Sequence, residues 1–330
     1  MKTDICITID TEFSIAGAFA DPERFSPIGE EIVNCSADGR EEGLGFILET
    51  LGRFGAAATF FIETLQIFYF GDGPMGRVAE RIAAAGHDLQ LHLHPCWLQF
   101  RRADWRHLTA APNDSCAGLS DSELDDIIGL GIDTFSRWGL KPPVALRAGG
   151  FQSDRALYRA MARARLPAAS NIATGVNPPA EEALRLTDGR HFIEGVLELP
   201  ALSYQTPLSS HTRTLAVTAT SSDEMQHLLW QARAAGISPV VILTHPFEFI
   251  KKRDFRYRRL RRNRINQRRL KNLLEFLTSH DDEFSIATFG RRAAAWCESG
   301  PLPAKGLKVP LGLAVARTAQ NAVNDLVWAY

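Results

Sequence analysis

Short apolar runs of β character alternate with longer segments of helical period along most of this chain. The β-type runs lie at 5–9, 57–62, 88–92, 144–147, 193–199, 215–218, 240–244 and 284–287. Helical patterns lie between them at 44–54, 75–85, 122–138, 154–164, 223–235, 265–279 and 291–297. A strand that is followed by a helix and then by another strand pairs in parallel, through a right-handed crossover. The expected fold class is therefore α/β, with about seven parallel strands closing as a (β/α) barrel. An open doubly wound sheet is the competing layout. Ala85-Gly86 is a C-cap signal, and Ser120 or Asp121 and then Ser222 are N-cap candidates for the helices that follow them. No internal repeat is visible.

The chain has 330 residues, 45% of them hydrophobic and 23% charged. A chain of that size buries about three quarters of its unfolded surface and needs no staple to hold a core. Its five cysteines are Cys6, Cys35, Cys96, Cys116 and Cys297. They are odd in number and widely spaced with no CxxC pair, which argues against a disulfide framework or a thiolate zinc cluster. The N-terminus lacks the long apolar run and small-residue cleavage site of a secretory signal. No stretch approaches the roughly 20 apolar residues of a membrane span. A reducing cytoplasm is the expected compartment, with a peripheral place at the inner membrane face as a variant of it.

Residues 1–300 are expected to form one domain and 301–330 a packed tail. Three long excursions, 13–42, 98–121 and 201–213, interrupt the alternation, and loops beyond about 15 residues in a compact domain are often binding loops or lids. Asp10-Thr11-Glu12-Phe13 stands where a dinucleotide fold would carry GxGxxG, so a Rossmann-type enzyme is disfavoured.

In parallel α/β folds ligands bind at the carboxyl ends of strands. Reactive side chains gather at those ends here. The first run ends Ile9-Asp10-Thr11-Glu12, with two acids on one face of extended chain. Asp and Thr also favour strand ends, so a solvated turn is the plain alternative. The third run ends Leu91-His92-Leu93-His94-Pro95. Two imidazoles at i and i+2 project the same way and can reach one ion; with a carboxylate they suit Zn²⁺ or another divalent transition metal. The intervening leucines 89, 91 and 93 would face the core, and His87 would hydrogen-bond locally. Arg147 leaves an apolar run directly into Gly149-Gly150, where it can grip a carboxylate or form a structural ion pair. His245 follows the fully apolar 240–244 and is a candidate proton carrier. Glu198, alone in an apolar run, must be paired or functional. Unrelated causes would scatter these residues rather than place them at corresponding ends. Together they describe metal-assisted hydrolysis of an amide or ester.

The order of these motifs over roughly residues 3–298 resembles the polysaccharide deacetylases (the NodB-homology group, carbohydrate esterase family 4). Thr8-Ile9-Asp10-Thr11-Glu12 is similar to the family's Thr-Phe-Asp-Asp motif, and Ala58-Thr59-Phe60-Phe61 to its second strand. The segment from Gly86-His87 to His92-Leu93-His94-Pro95 resembles its histidine motif, Arg147-Ala148-Gly149-Gly150-Phe151 its Arg-Pro-Pro-Tyr motif, and Leu243-Thr244-His245 its final Leu-x-His. The resemblance implies a distorted (β/α) barrel of about seven strands and removal of an N-acetyl or other small N-acyl group from an amino sugar. It implies Asp10 as general base, oriented by Arg147, His245 as general acid and His92 as a metal ligand. It implies a divalent metal, Zn²⁺ first and Co²⁺ or Mn²⁺ next. Two departures stand out. Thr11 occupies the place of the family's metal carboxylate, so Glu12 substitutes; Cys96 falls where the second histidine belongs, so His94 substitutes. Trp97, Phe151 and Phe247 flank the motifs and are candidates, with Glu198, to contact a sugar. The substrate expected is a surface glycan or its lipid-linked precursor.

Net charge is −1, from 37 Lys and Arg against 38 Asp and Glu. The balance hides a window at 251–271, KKRDFRYRRLRRNRINQRRLK, with twelve Lys or Arg and one Asp. Such density attracts polyanions. Aromatics are sparse and no nucleic-acid motif occurs, so nucleic acid is not expected. An acidic glycan, a diphosphate-linked carrier or an anionic membrane surface fits better. The plain alternative is a solvated face pairing with Glu30, Glu31, Glu41 or Glu42. Other classes stay open. One is a catalytically silent glycan- or carrier-binding protein; another is a metal-independent amide hydrolase. A third is a glycoside hydrolase using Asp10 with Glu198 or Glu12, which leaves the histidines without a role.

Overall fold

Strand β1, Thr3–Thr11, is buried at all nine positions, and its two faces serve different ends. Odd positions Ile5, Ile7 and Ile9 enter the large apolar core between sheet and helices. Even positions begin with Cys6, in a second and smaller apolar cluster, and continue through Thr8 to Asp10. The strand period of two thus separates packing from chemistry within one segment. This division repeats around a curled sheet, as seen in a computed structural model that describes residues 2–108, 111–254 and 256–326.

The other strands are β2 (Thr59–Glu63), β3 (Asp88–Leu93), β4 (Ala145–Ala148), β5 (Ala168–Ala169), β6 (His191–Ile193), β7 (Val196–Glu198), β8 (Val240–Thr244) and β9 (Phe284–Ile286). Their order is β8-β1-β2-β3-β4-β5-β7-β6, with β9 also on β1. Every pairing is parallel except β6 with β7. The gap between β7 and β8 is spanned by single bridges, Ala201 to Val241 and Ala216 to Leu243. The result is a distorted (β/α) barrel.

Outside it lie α1 (Leu44–Arg53), α2 (Gly73–Ala84), α3 (Asp121–Arg137), α4 (Arg155–Arg163), α5 (Ser222–Ala234), α6 (Arg264–Ser279), α7 (Phe289–Glu298) and α8 (Leu311–Leu326). Ser120 caps α3 in a capping box with Glu123, as its Ser-x-x-Glu spacing leads one to expect. The cap of α5 is Ser221 rather than Ser222. Helix α7 closes the amino-terminal end of the barrel. Phe289 and Trp296 join Phe61 in the inner apolar cluster, and the Trp296 indole and Arg292 both donate to Asp4.

Several expectations are corrected. The run 193–199 is a hairpin, not one strand, because Glu194 and Gly195 both take positive φ (49° and 84°), the signature of a two-residue turn between antiparallel strands. The run 215–218 contributes one bridge rather than a strand. Within 201–213, expected as a loop, Ser203–Thr206 pairs with Ser209–Thr214 and then with Leu307–Lys308. The terminal segment 301–330 includes a sixteen-residue helix, Leu311–Leu326. All five cysteines are free thiols, and no described helix is long and apolar enough to cross a membrane.

The basic window is largely structured. Ile250–Lys252 and Leu260–Arg262 form a hairpin. Asp254 accepts the backbone N–H groups of Arg256, Arg258 and Arg259 at its tip. Of the expected acidic partners, Glu42 pairs with Arg262 at 3.3 Å, whereas Glu30 and Glu41 pair with Arg77 and Arg81 of α2.

Candidate active site

Parallel register brings the strand ends together. Asp10 pairs with Phe61 on β2, Glu63 with His92 on β3, and His92 with Arg147 on β4. On the other side of β1, Ile9 pairs with Thr244, one residue before His245. Asp10, Glu12, His92, His94 and His245 therefore line one cavity of about 660 Å³, with Phe151, Val176, Arg213 and Glu248 among its other walls.

Asp10 is buried, and Arg147 Nη1 donates to its Oδ1 at 2.6 Å. The guanidinium is fully buried and fixed on every side. Nη1 also donates to Thr8 Oγ1 at 3.0 Å, and Nε and Nη2 donate to the backbone and side-chain oxygens of Ser170. The Phe61 ring lies 4.2 Å away. A charged group so enclosed is tolerable only because its donors are used and a carboxylate faces it. Asp10 Oδ2 faces His245 Nε2 at 3.8 Å.

His245 Nδ1 is bound to Glu248 Oε1 at 3.1 Å. Glu248 Oε2 accepts from Thr218, Thr244 and the His245 backbone N–H. Burial disfavours the imidazolium, but Glu248, with smaller contributions from Asp10 and Glu12, outweighs burial and raises His245 to about 9. The ring is therefore protonated at neutral pH.

Glu12 Oε2 lies 3.1 Å from His92 Nε2 and 2.7 Å from His94 Nε2. The opposite nitrogens are engaged: His92 Nδ1 with the Arg147 carbonyl at 2.8 Å, and His94 Nδ1 with Asp114 Oδ2 at 2.8 Å. Burial pushes Glu12 up, yet His94 and His92 hold it well below the usual carboxylate range. Burial depresses His94, while Glu12 and Asp114 raise it well above an ordinary imidazole. Beneath them Glu63 accepts the N–H groups of Leu65, Gln66 and His94, and its burial raises it to about 8. Glu12, His92 and His94 offer three ligand atoms within 4.8 Å of one another. One carboxylate and two imidazoles suit zinc. Both Nδ1 atoms are held by oxygen partners, which turns both Nε2 atoms inward, as ligating histidines require. The donor set thus fits a divalent cation. His94, Cys96 and Asp114 form a second such group that shares His94.

Gly149 explains one sequence departure. A Cβ there would lie 2.5 Å from the His94 ring, so the turn after Arg147 must lack a side chain for His94 to occupy its place. Phe151 does line the cavity. Two other expected contacts are corrected. Trp97 is 1% exposed and packs on Phe70 and Phe100, out of reach of a sugar. Glu198 is fully buried and accepts from the Tyr158 hydroxyl and the Asn171 and Ile172 N–H groups. Phe247, half-buried, stacks on His245 at 4.9 Å.

Two participants escaped the sequence reading. Glu248 follows His245 by three residues after a proline, a spacing that announces a local contact. Asp114 lies in the 98–121 excursion, and no local pattern marks it. Arg213 also lines the cavity and is the one Lys or Arg among the described residues of its wall.

No protein-family model matches the chain, and no curated protein does. Solved structures do. A Mycobacterium smegmatis protein provisionally described as a polysaccharide deacetylase superposes with a TM-score of 0.58 at 17% identity, covering 94% of this chain and 96% of that one. A family 4 carbohydrate esterase from Streptomyces lividans, in complex with acetate, gives 0.42 at 12% identity over 92% and 98%. The peptidoglycan deacetylase PdaC of Bacillus subtilis gives 0.40 at 12% over 90% and 93%. The first of these likenesses establishes the fold: this chain shares the fold of the Mycobacterium smegmatis protein.

Proposed function

We propose that the protein is a metal-dependent hydrolase that removes an N-acetyl or other small N-acyl group from an amino sugar of a glycan or its lipid-linked precursor. One observation carries the reading. Asp10, Glu12, His92, His94 and His245 come from three strand ends and line a single cavity. The fold shared with the Mycobacterium smegmatis protein supports it.

Glu12, His92 and His94 would hold the cation, Zn²⁺ by preference and Co²⁺ or Mn²⁺ otherwise. When bound, such an ion supplies Lewis acidity to the acyl carbonyl. The chain supplies the proton transfers. Asp10, held by Arg147, takes a proton from the attacking water as its oxygen bonds to the acyl carbon. His245, kept protonated by Glu248, delivers a proton to the nitrogen as the C–N bond breaks. The products are a carboxylate and a free amino sugar. Phe151 and Val176 line the cavity and would meet the sugar. A cytoplasmic location, with the carrier lipid at the membrane face, belongs to the same reading.

The test is release of acetate from N-acetylated glucosamine oligomers by protein loaded with zinc. Acetate without new reducing ends supports the proposal; new reducing ends would assign a glycoside hydrolase instead. A second reading, a silent glycan-binding protein, draws on Thr11 and Cys96 standing where the family's motifs place metal ligands. Oligomer binding without acetate release, and without a stoichiometric metal, would favour it. Acetate release undiminished by a chelator would point to metal-independent hydrolysis.

A further inference from the structure

Helix α8 is built inside out. Apart from the small Ala314, its inward face is polar: Arg317 is 5% exposed and donates to Glu224 of α5 at 3.1 Å. Gln320 and Asn321 accept from the buried Arg269 of α6, at 3.1 and 2.6 Å. Asn321 also donates to the Ala219 carbonyl, and Asn324 is buried. The outward face is apolar. Leu311, Val315, Val323 and Leu326 are 56%, 50%, 52% and 70% exposed. They are half of the eight large exposed hydrophobics among the described residues. At about 100° per residue, Leu311, Val315, Ala319, Ala322, Val323 and Leu326 fall in one stripe about 120° wide. A surface helix ordinarily turns such a stripe inward, so this one lacks its partner.

Charge indicates the partner. Asn324 lines a hollow in which Lys251, Arg261, Arg262 and Arg264 face the single acid Asp38, and Gln320 lines another in which Arg264, Arg268 and Arg269 face the single acid Asp223. Both hollows border the same flank of α8. Of these cations, Arg264 and Arg268 are exposed, and neither has an acidic partner among the described ion pairs. An apolar helical face rimmed by cations is the arrangement that lies in the interface of an anionic bilayer. A second copy of the chain would bring the same rim to its own contact, where Lys251, Arg261, Arg262, Arg264 and Arg268 outnumber Asp38, Asp223 and Asp325.

We infer that the outer face of α8, with the basic rim at 251–268, docks the protein on the surface of an anionic membrane. The inference stands apart from the catalytic reading, since no residue of the proposed active centre takes part. The test is co-sedimentation of the full chain with phosphatidylcholine vesicles, with and without about 30% phosphatidylglycerol. Binding is expected only to the anionic vesicles and should weaken as salt rises. The Val315→Glu/Val323→Glu variant should bind about 10-fold more weakly or worse, with its melting temperature unchanged because both side chains point outward. Arg264→Glu/Arg268→Glu should lose binding to a similar degree and keeps the test decisive should the first variant fail to fold. Equal binding to both vesicle types, no binding to either, or unaltered binding by the arginine variant overturns the inference. So does a dimer in solution that Val315→Glu disperses, which would assign the face to a second copy.

Discussion

His245 Nε2 lies 3.8 Å from Asp10 Oδ2, although 235 positions separate the two residues along the chain. Adjacent parallel strands in fixed register make the approach unavoidable. The two groups have different partners behind them, Arg147 for Asp10 and Glu248 for His245. In the proposed reaction these surroundings set the two roles apart, a base pinned by a cation and an acid pinned by an anion. Asp10→Asn keeps the shape but cannot accept the proton, and His245→Ala removes the donor. Each should lower kcat by about 10²–10⁴-fold, measured as acetate release, with circular dichroism unchanged. Full activity in either variant would exclude the assigned role.

Glu248 gives His245 a pH signature. The imidazole is raised from its ordinary 6.5 to about 9 in the fold. The folded state therefore binds a proton that the unfolded state releases earlier. This contribution to stability is complete below about pH 6.5 and is lost as pH rises through about 9. Glu248→Gln should flatten that decline and lower the alkaline limb of the kcat profile toward pH 7. Denaturant melts at pH 6 and pH 9.5 measure the first effect, and initial rates across the same range measure the second. An unaltered alkaline limb would mean that some other group supplies the proton.

If Glu12, His92 and His94 hold a cation as proposed, protons compete with it for the site. His94 is raised well above the usual imidazole range by Glu12 and Asp114, so a proton must leave before its Nε2 can ligate. Zinc affinity should rise with pH, by about tenfold per unit where one proton is displaced. Calorimetric titration of metal-stripped protein at pH 6 and pH 7.5 measures it. His92→Ala should abolish stoichiometric binding. Asp114→Asn should bring the pH dependence toward that of an unperturbed histidine, and a dependence identical to wild type would show that Asp114 does not influence His94.

The parts of this site that were legible in the sequence are those carried by strand period. Asp10 and Glu12, His92 and His94, each two apart, announced shared faces, and leucines 91 and 93 announced the opposite one; both are buried in the large core. Helix limits followed from caps and apolar period, within two residues for α1 through α7. Less legible was whatever depends on contacts distant in sequence. The two-residue strand β5 has too little chain to show a period. The turn at Glu194-Gly195 hid inside an apolar run. Helix α8 defeated an inside-out reading because its buried face is the polar one, fixed by Glu224 and Arg269 from other helices. Trp97 illustrates the reverse error: adjacency to His94 in sequence placed it near the site, but the short helical turn Pro95–Arg101 carries its ring into the core.

Glu198 separates structural from catalytic carboxylates. It is fully buried, three donors meet it, and burial raises it to about 7. Two of those donors are the N–H groups of Asn171 and Ile172, just beyond β5 and Ser170. Asn171 Oδ1 in turn accepts the Ala148 N–H beside the Arg147 turn, at 2.8 Å. Glu198→Ala would leave two backbone donors and a tyrosine hydroxyl buried without acceptors, at about 1–3 kcal/mol for each. The expected outcome is a loss of at least about 3 kcal/mol in denaturant unfolding, with kcat reduced far less than by Asp10→Asn. Glu198→Gln, which keeps an acceptor, should recover part of the stability. An activity loss as deep as that of Asp10→Asn, in a variant of near-wild-type stability, would instead place Glu198 in the chemistry.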